Sequence, residues 1–450
     1  MKKTLENFPY QHVLVLGLAK SGTAAARLLA RSNTKVRVND LKTSQDDPVI
    51  SELVSLGVDV IVGSHPVTAL DGIDLLVKNP GIPYENVLVM EASKRGIPII
   101  TEVELAGRLV SDNIIGITGS NGKTTTTTLI SEMLLQSNKT VSIAGNIGNV
   151  ATEVAEQMDA DETMVIELSS FQLLGVQTFK PKIAVLLNLF EAHLDYHKTF
   201  DHYMYAKGNI LANQSSEDFV VYNLDDTKIT ELVADAHAEK VPFSTLKPCE
   251  NGAWCGEGFI YFRQEKIIRI SELALVGKHN LENILAAIAA AKLGGATNEG
   301  IVRVLTTFTG VKHRLQFVDN VEGRLFYNDS KATNILATSK ALAAFEQPTI
   351  LLAGGLDRGN SFLDLLPYLH HVKAMIVFGQ TAEKLRETAE QAGIEIVEFV
   401  DNVKQAVHKA FQVSNSNDVI LLSPACASWD QYRTFEERGD MFVDAVHKLK

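Results

Sequence analysis

The chain has 450 residues, a formal net charge of −12 and three cysteines, Cys249, Cys255 and Cys426. The acidity argues against nonspecific binding to nucleic acid or an anionic membrane. The cysteines make neither a disulfide framework nor a zinc-ligand spacing, which fits a reducing cytoplasm. The length predicts about three domains. No apolar run approaches a membrane span, and the run after Lys2 and Lys3 is too short and glycine-interrupted for a signal peptide.

From the N-terminus to about residue 102, short apolar runs alternate with helical stretches. Strands are predicted at 13–16, 35–39, 74–78 and 97–100, with a helix over 23–31. This alternation implies a mostly parallel sheet. Gly17-Leu18-Ala19-Lys20-Ser21-Gly22 follows the first strand and Asp40 ends the second. That pattern is similar to a dinucleotide fingerprint. Its middle glycine is Ala19, however, and a methyl there obstructs close approach to a pyrophosphate. NAD binding, another nucleotide and a plain tight turn all stay open. Asn79-Pro80-Gly81-Ile82-Pro83 is a loop at a strand end, where open α/β sheets bind ligands.

Residues 103–310 are organised around Ile114-Ile115-Gly116-Ile117-Thr118-Gly119-Ser120-Asn121-Gly122-Lys123-Thr124-Thr125. An apolar strand leads into a glycine-rich turn and then into a helix start. Backbone N–H groups in such a turn close around an anion, helped by the helix N-terminus. Lys123 supplies a charge for phosphates and Thr124 a hydroxyl for Mg²⁺. Residues 124–128 are all threonine, a poor helix former, so the helix needs Leu129, Ile130, Met133 and Leu134 packed on the sheet.

A strand at 141–144 ends in Gly145-Asn146-Ile147-Gly148, and one at 163–167 ends in Glu167. A strand-end carboxylate of this kind holds Mg²⁺ in phosphate-loop enzymes, or is an ordinary solvated terminus. The strand predicted at 183–189 delivers Glu191-Ala192-His193-Leu194-Asp195-Tyr196-His197. Its histidine spacing fits no zinc motif well, so a polar active-site loop is the better reading. Lys207 lies in a helical stretch, where a lone lysine is normally solvated. Residues 219–222 and 254–270 read as antiparallel strands. Asn280 and Asn283 share one face at the start of a helix over 281–293.

Residues 311–450 open with His313-Arg314 and two strands around Glu322-Gly323. Asn328-Asp329-Ser330-Lys331-Ala332-Thr333-Asn334 then caps a helix. Strands at 350–353, 374–378 and 419–422 alternate with helices, a second βα domain. The last strand ends in Ser423-Pro424-Ala425-Cys426-Ala427-Ser428, where Cys426 reads as a buried small residue rather than a nucleophile.

Taken together, residues 118–124, 167–173, 277–283, 313–314, 328–334 and 422–428 resemble the Mur ligases, the ATP-dependent amide-forming enzymes of peptidoglycan precursor synthesis. The resemblance is greatest to the D-glutamate-adding branch. It implies an α/β fold of three domains: a Rossmann-like UDP-substrate domain (1–102), a central P-loop ATPase-type domain with a small antiparallel part (103–310), and a C-terminal Rossmann-like domain for D-glutamate and part of ATP (311–450). The implied reaction adds D-glutamate to UDP-N-acetylmuramoyl-L-alanine through an acyl phosphate, giving ADP and phosphate. The alternatives are another amino-acid-adding Mur ligase or a folylpolyglutamate-synthase-like ligase. A cytoplasmic monomer without nucleic-acid or membrane partners is expected.

By the same resemblance, Gly119, Ser120, Asn121, Gly122, Lys123, Thr124 and Thr125 hold the ATP phosphates, and Asn283, Arg314 and Asp329 hold adenine and ribose. Thr124, Glu167, His193 and a carbamylated Lys207 hold two Mg²⁺ ions. Lys123, Asn146, His193 and Lys207 act at the reacting groups. Ser21, Asp40 and Asn79 bind the UDP substrate, and Lys331, Thr333, Ser428 and Phe435 bind D-glutamate. The chain departs from some relatives at Ala192, where they carry an acid, and at Arg358, where they carry a lysine.

Overall fold

The computed structural model describes residues 2–110, 113–146, 149–275 and 277–449, without the side chain of Lys278. Ile147 and Gly148, read above as part of a strand-end loop, lie outside the described residues. The architecture is α/β throughout, built on three sheets. The chain divides into two compact units, Met1–Leu273 with Lys278–Thr306, and Ala274–Gly277 with Thr307–Lys450. The first unit contains two of the sheets. Among the described residues no helix is long and apolar enough to cross a membrane.

The first sheet has five strands in the chain-numbered order three-two-one-four-five, with His12–Leu16 at its centre. All its pairings are parallel. Both faces are therefore covered, and Val13, Leu14, Val15 and Leu16 are fully buried.

The second sheet has nine strands. Ile114–Thr118 lies inside it, between Thr163–Glu167 and Ile183–Leu186. The helix Lys123–Leu135 follows directly, and Leu129, Ile130, Met133 and Leu134 are fully buried beneath its threonines, as the pattern requires. Phe219–Asn223 corrects the antiparallel reading: it pairs in parallel with both Ile183–Leu186 and Glu239–Ser244. The crossover helix Phe200–Gly208 between the first two of these strands carries the chain back to the same edge, which forces parallel pairing. Among the described residues, Phe259–Phe262 runs antiparallel to both of its neighbours, Ala253–Gly256 and Glu265–Arg269, at the outer end of the sheet.

The second unit holds six strands. Gln316–Val321 and Arg324–Asn328 form a hairpin, and the remaining pairings are parallel. Asn334 caps the helix Ile335–Leu342 by accepting the N–H of Ala337 at 2.9 Å.

Candidate active site

In the first unit the site is assembled at the C-terminal ends of parallel strands, where loops and helix N-termini meet. Gly122, at φ +84°, turns the chain into the helix, a conformation that costs any residue with a Cβ. A second constraint acts there. A Cβ on Gly122 would lie 2.1 Å from Oδ1 of Asn283, which is buried near the start of the helix Lys278–Leu293. The side chain of Asn283 also lies 3.4 Å from that of Asn280, so the two share the expected face.

The neighbouring strand end secures the turn from the other side. Ser120 N donates to Asn188 O at 2.9 Å and Asn121 N donates to Asn188 Oδ1 at 2.8 Å. The Ser120 hydroxyl meets that of Tyr203 at 2.9 Å. The Lys123 ammonium folds back onto Gly119 O and Ser120 O, at 2.9 and 3.1 Å.

Glu167 is not a solvated terminus; it is buried. Thr124 Oγ1 donates to its Oε2 and Asn146 Nδ2 to its Oε1, each at 2.8 Å. A hydroxyl and a carboxylate of this kind are hard oxygen donors and fit a Mg²⁺ ion. Among the described residues no three His, Cys, Asp or Glu side chains gather into a metal-holding group.

Lys207 departs from the solvated reading. It is 2% exposed, and its Nζ donates to Gly119 O at 2.9 Å and Thr118 Oγ1 at 3.2 Å. Burial, followed by the charge of Lys123, holds its amine well below the ordinary lysine range, while Glu167 acts in the opposite sense. His193 sits at φ +55°, ahead of the short helix Leu194–His197, and packs edge-on against Phe171 at 5.0 Å. His197 points toward Ser170, its Nε2 2.9 Å from that hydroxyl.

Farther along the first unit, Asp40 binds loops rather than presenting a free carboxylate. It accepts the N–H groups of Leu18, Lys42 and Thr43, each at 2.8 Å. Burial alone would raise its pKa, but these donors outweigh it and the carboxyl is lowered. The carboxamide nitrogen of Asn79 is buried without a hydrogen-bond partner. A Cβ on Gly17 would lie 3.0 Å from Cβ of Asn79, so the first-strand turn and the Asn79 loop are in close contact. Ser21 lies in the first turn of the helix Lys20–Arg31.

In the second unit Asp329 is buried, accepting from Ser423 Oγ at 2.8 Å and from Leu315 N at 3.2 Å. Burial pushes its carboxyl up to about 7, against those donors and the charge of Arg314. Lys331 Nζ lies over the Phe435 ring at 5.8 Å. Thr333 N donates to Lys331 O at 2.9 Å. The Ser428 hydroxyl is buried without a hydrogen-bond partner. Cys426 is buried, as read, and burial raises its thiol to about 11. The guanidinium of Arg358 lies over the Trp429 ring at 5.0 Å.

Three residues that the motifs did not mark also shape these loops. Asn188 and Tyr203 hold the phosphate loop, as described. Arg438, fully buried, ties three loops of the second unit together by donating to Ser330 O at 2.9 Å, Cys426 O at 3.1 Å and Gly354 O at 3.4 Å. The available signal for Arg438 was a cation inside a helix that is otherwise apolar on one face.

Three family models match in order: the Mur ligase MurD-like N-terminal domain over residues 11–101, the Mur ligase middle domain over 117–291, and the Mur ligase glutamate ligase domain over 313–426. The fold is similar to two solved Thermotoga maritima structures, each 18% identical. UDP-N-acetylmuramate-alanine ligase matches with a TM-score of 0.55, covering 98% of this chain and 100% of that one. MurF ligase in complex with ADP matches with a TM-score of 0.56, covering 92% and 96%. The UDP-N-acetylmuramoylalanine–D-glutamate ligase of Oceanobacillus iheyensis is 60% identical, over 99% of both chains. The enzyme of the same name from Bacillus subtilis is 58% identical, over 98% of both. Identity at that level over the full length, with all three domains matched in order, makes this chain a member of the Mur ligase family.

Proposed function

We propose that the chain is an ATP-dependent ligase that adds D-glutamate to UDP-N-acetylmuramoyl-L-alanine, giving ADP and phosphate, in peptidoglycan precursor synthesis. The observation that carries this reading is the 60% identity, over 99% of both chains, to an enzyme named for that reaction. The domain limits at 1–102, 103–310 and 311–450 belong to it, supported by the extents of the three family models. So does a cytoplasmic location.

The chemistry joins two anionic molecules. A substrate carboxylate oxygen attacks the γ-phosphorus of ATP and ADP departs, leaving an acyl phosphate. The amine of D-glutamate then attacks the acyl carbon, loses a proton, and phosphate is expelled. Catalysis of such steps rests on positioning and on placed charge. Lys123 exchanges its carbonyl contacts for β- and γ-phosphate oxygens. Thr124 would hold one Mg²⁺ and Glu167 with His193 a second, with the Lys207 carbamate as a further acidic group, and bound ions would neutralise developing phosphate charge. Asn146 orients the substrate or phosphoryl group. Lys207 reacts as a neutral amine with CO₂ to give a carbamate and a proton, and its depressed basicity favours that form.

Ser21, Asp40 and Asn79 serve the UDP substrate, and the unpartnered amide of Asn79 supports that role. In the second unit Arg314 and Asp329 serve the nucleotide. Lys331, Thr333, Ser428 and Phe435 serve D-glutamate, and the unpartnered Ser428 hydroxyl supports this. The test is phosphate release across an amino-acid panel with UDP-N-acetylmuramoyl-L-alanine and Mg²⁺. Release is expected with D-glutamate only. Equal turnover with L-glutamate, lysine or diaminopimelate would overturn the assignment.

A further inference from the structure

Lys78 ends the strand Leu75–Lys78 of the first sheet, and its side chain is fully buried. Its Nζ donates to three carbonyl oxygens of the turn that follows: Ile82 at 2.8 Å, Pro80 at 3.1 Å and Asn79 at 3.3 Å. It also lies 3.2 Å from the hydroxyl of Tyr196. That hydroxyl donates to Ile82 O at 3.1 Å and Pro80 O at 3.4 Å. Lysine and tyrosine thus share one cluster of carbonyls, the lysine from within the first sheet and the tyrosine from the segment that begins at His193. The ring of Tyr196 packs edge-on against Phe171 at 4.6 Å, and Phe171 in turn packs against His193.

Burial lowers the Lys78 amine to about 7, and among the described residues no carboxylate opposes it. A buried cation without an anionic partner destabilises a fold, and an apolar side chain of similar volume would fill the space at lower cost. Its geometry suggests what offsets that cost. Carbonyl oxygens are the negative ends of peptide dipoles. The peptides after Asn79 and Ile82 lead into Pro80 and Pro83 and carry no N–H, but with Pro80 O held on the ammonium the N–H of Gly81 faces the opposite side of the loop, because C=O and N–H point opposite ways across a planar peptide. The Gly81 N–H is the donor that this arrangement offers an anion. Asn79, assigned above to the UDP substrate, is the first residue of that loop.

We propose that Lys78 is a positioning residue for the UDP substrate: it sets the carbonyls of Asn79, Pro80 and Ile82 inward and, through Tyr196, ties that loop to the segment carrying His193. This inference rests on the reading of Asn79 as part of the UDP-substrate site. It makes Lys78 act on one ligand of three. A merely structural lysine would lower stability without selecting among ligands.

The test uses the full-length protein with Lys78→Met, Tyr196→Phe and the double variant, assayed by phosphate release with each substrate varied in turn, alongside thermal melts. Lys78→Met is expected to raise KM for UDP-N-acetylmuramoyl-L-alanine about tenfold or more, while KM for ATP and D-glutamate stays within about twofold. Tyr196→Phe is expected to raise the same KM by a smaller factor. The double variant is expected to match Lys78→Met rather than the product of the two, since both residues act on one cluster. A lowered melting temperature with all KM values unchanged, or parallel rises in all three, would overturn the proposal. If Lys78→Met does not fold, the near-isosteric Tyr196→Phe decides, and an unchanged UDP-substrate KM in that variant overturns the tie. Wild-type protein inactive with all three substrates would instead defeat the functional reading, and this inference with it.

Discussion

The hydroxyl of Thr124 donates to one oxygen of Glu167 and the amide of Asn146 to the other, each at 2.8 Å. Strand register makes this possible. Ile117 pairs with Glu167, and Gly145 pairs with Glu167 from the other side, so the carboxylate emerges between the phosphate loop and the Asn146 turn. Glu167→Gln keeps the size and loses the charge. Turnover is expected to fall on the order of 100-fold or more, with a higher Mg²⁺ requirement and an unchanged melting temperature. Steady-state rates across a Mg²⁺ titration check this, and a Mg²⁺ dependence identical to wild type would count against a metal role.

Gly122 is constrained twice, by its φ of +84° and by Asn283 Oδ1 standing 2.1 Å from the position of a Cβ. Gly122→Ala is expected to cost about 1–2 kcal/mol from backbone conformation alone, with further loss from the clash. Adding Asn283→Ala should recover the clash component but not the conformational one. Melting temperatures of the two variants separate these parts. ATP affinity should stay low in the double variant, because Asn283 is itself assigned to the nucleotide.

Lys207 is enclosed between the phosphate loop and Tyr203, its Nζ 4.9 Å from that ring centre. Lys207→Ala is expected to lose activity on the order of 100-fold and to regain about tenfold when a short-chain carboxylate is supplied. Mass spectrometry in CO₂-containing buffer offers a direct check. An unmodified lysine together with no chemical rescue would exclude the carbamate.

Asp329 makes stability depend on pH in a definite direction. The folded protein keeps its carboxyl proton up to about pH 7, whereas an ordinary aspartate carboxyl loses it near 3.8. Unfolding therefore releases a proton between those limits, and the stabilisation present below the lower limit is lost as pH rises through the upper one. The gap between 3.8 and about 7 caps that loss at about 4 kcal/mol. Asp329→Asn should flatten the fall in melting temperature between about pH 4 and pH 7. An unchanged slope would mean that the carboxyl is ionised in the folded state.

Much of the site could be read along the chain because its parts are local. Strand, glycine turn and helix start occur consecutively at 114–125, and each announces its own backbone. The buried face of the threonine-rich helix was equally legible, since 3.6-residue periodicity names the residues that must pack. Lys207 was not legible in the same way. Nothing in its helical neighbours distinguishes a buried lysine from a solvated one; the enclosing groups, Thr118 and Gly119, come from a distant strand end. The direction of Phe219–Asn223 was likewise hidden, because alternation marks which residues are buried but not which neighbour they pair with.

By itself, then, the sequence determined the α/β class, the phosphate-loop turn and the strand-end position of Glu167, all set by backbone sterics and hydrophobic periodicity within short windows. Only the tertiary structure decided what surrounds each charge. It placed Glu167 between Thr124 and Asn146, wrapped Lys207 in the phosphate loop, and enclosed Lys78 with carbonyls and Tyr196. Ionisation depends on desolvation and on neighbours brought together through space, and those are properties of the folded chain.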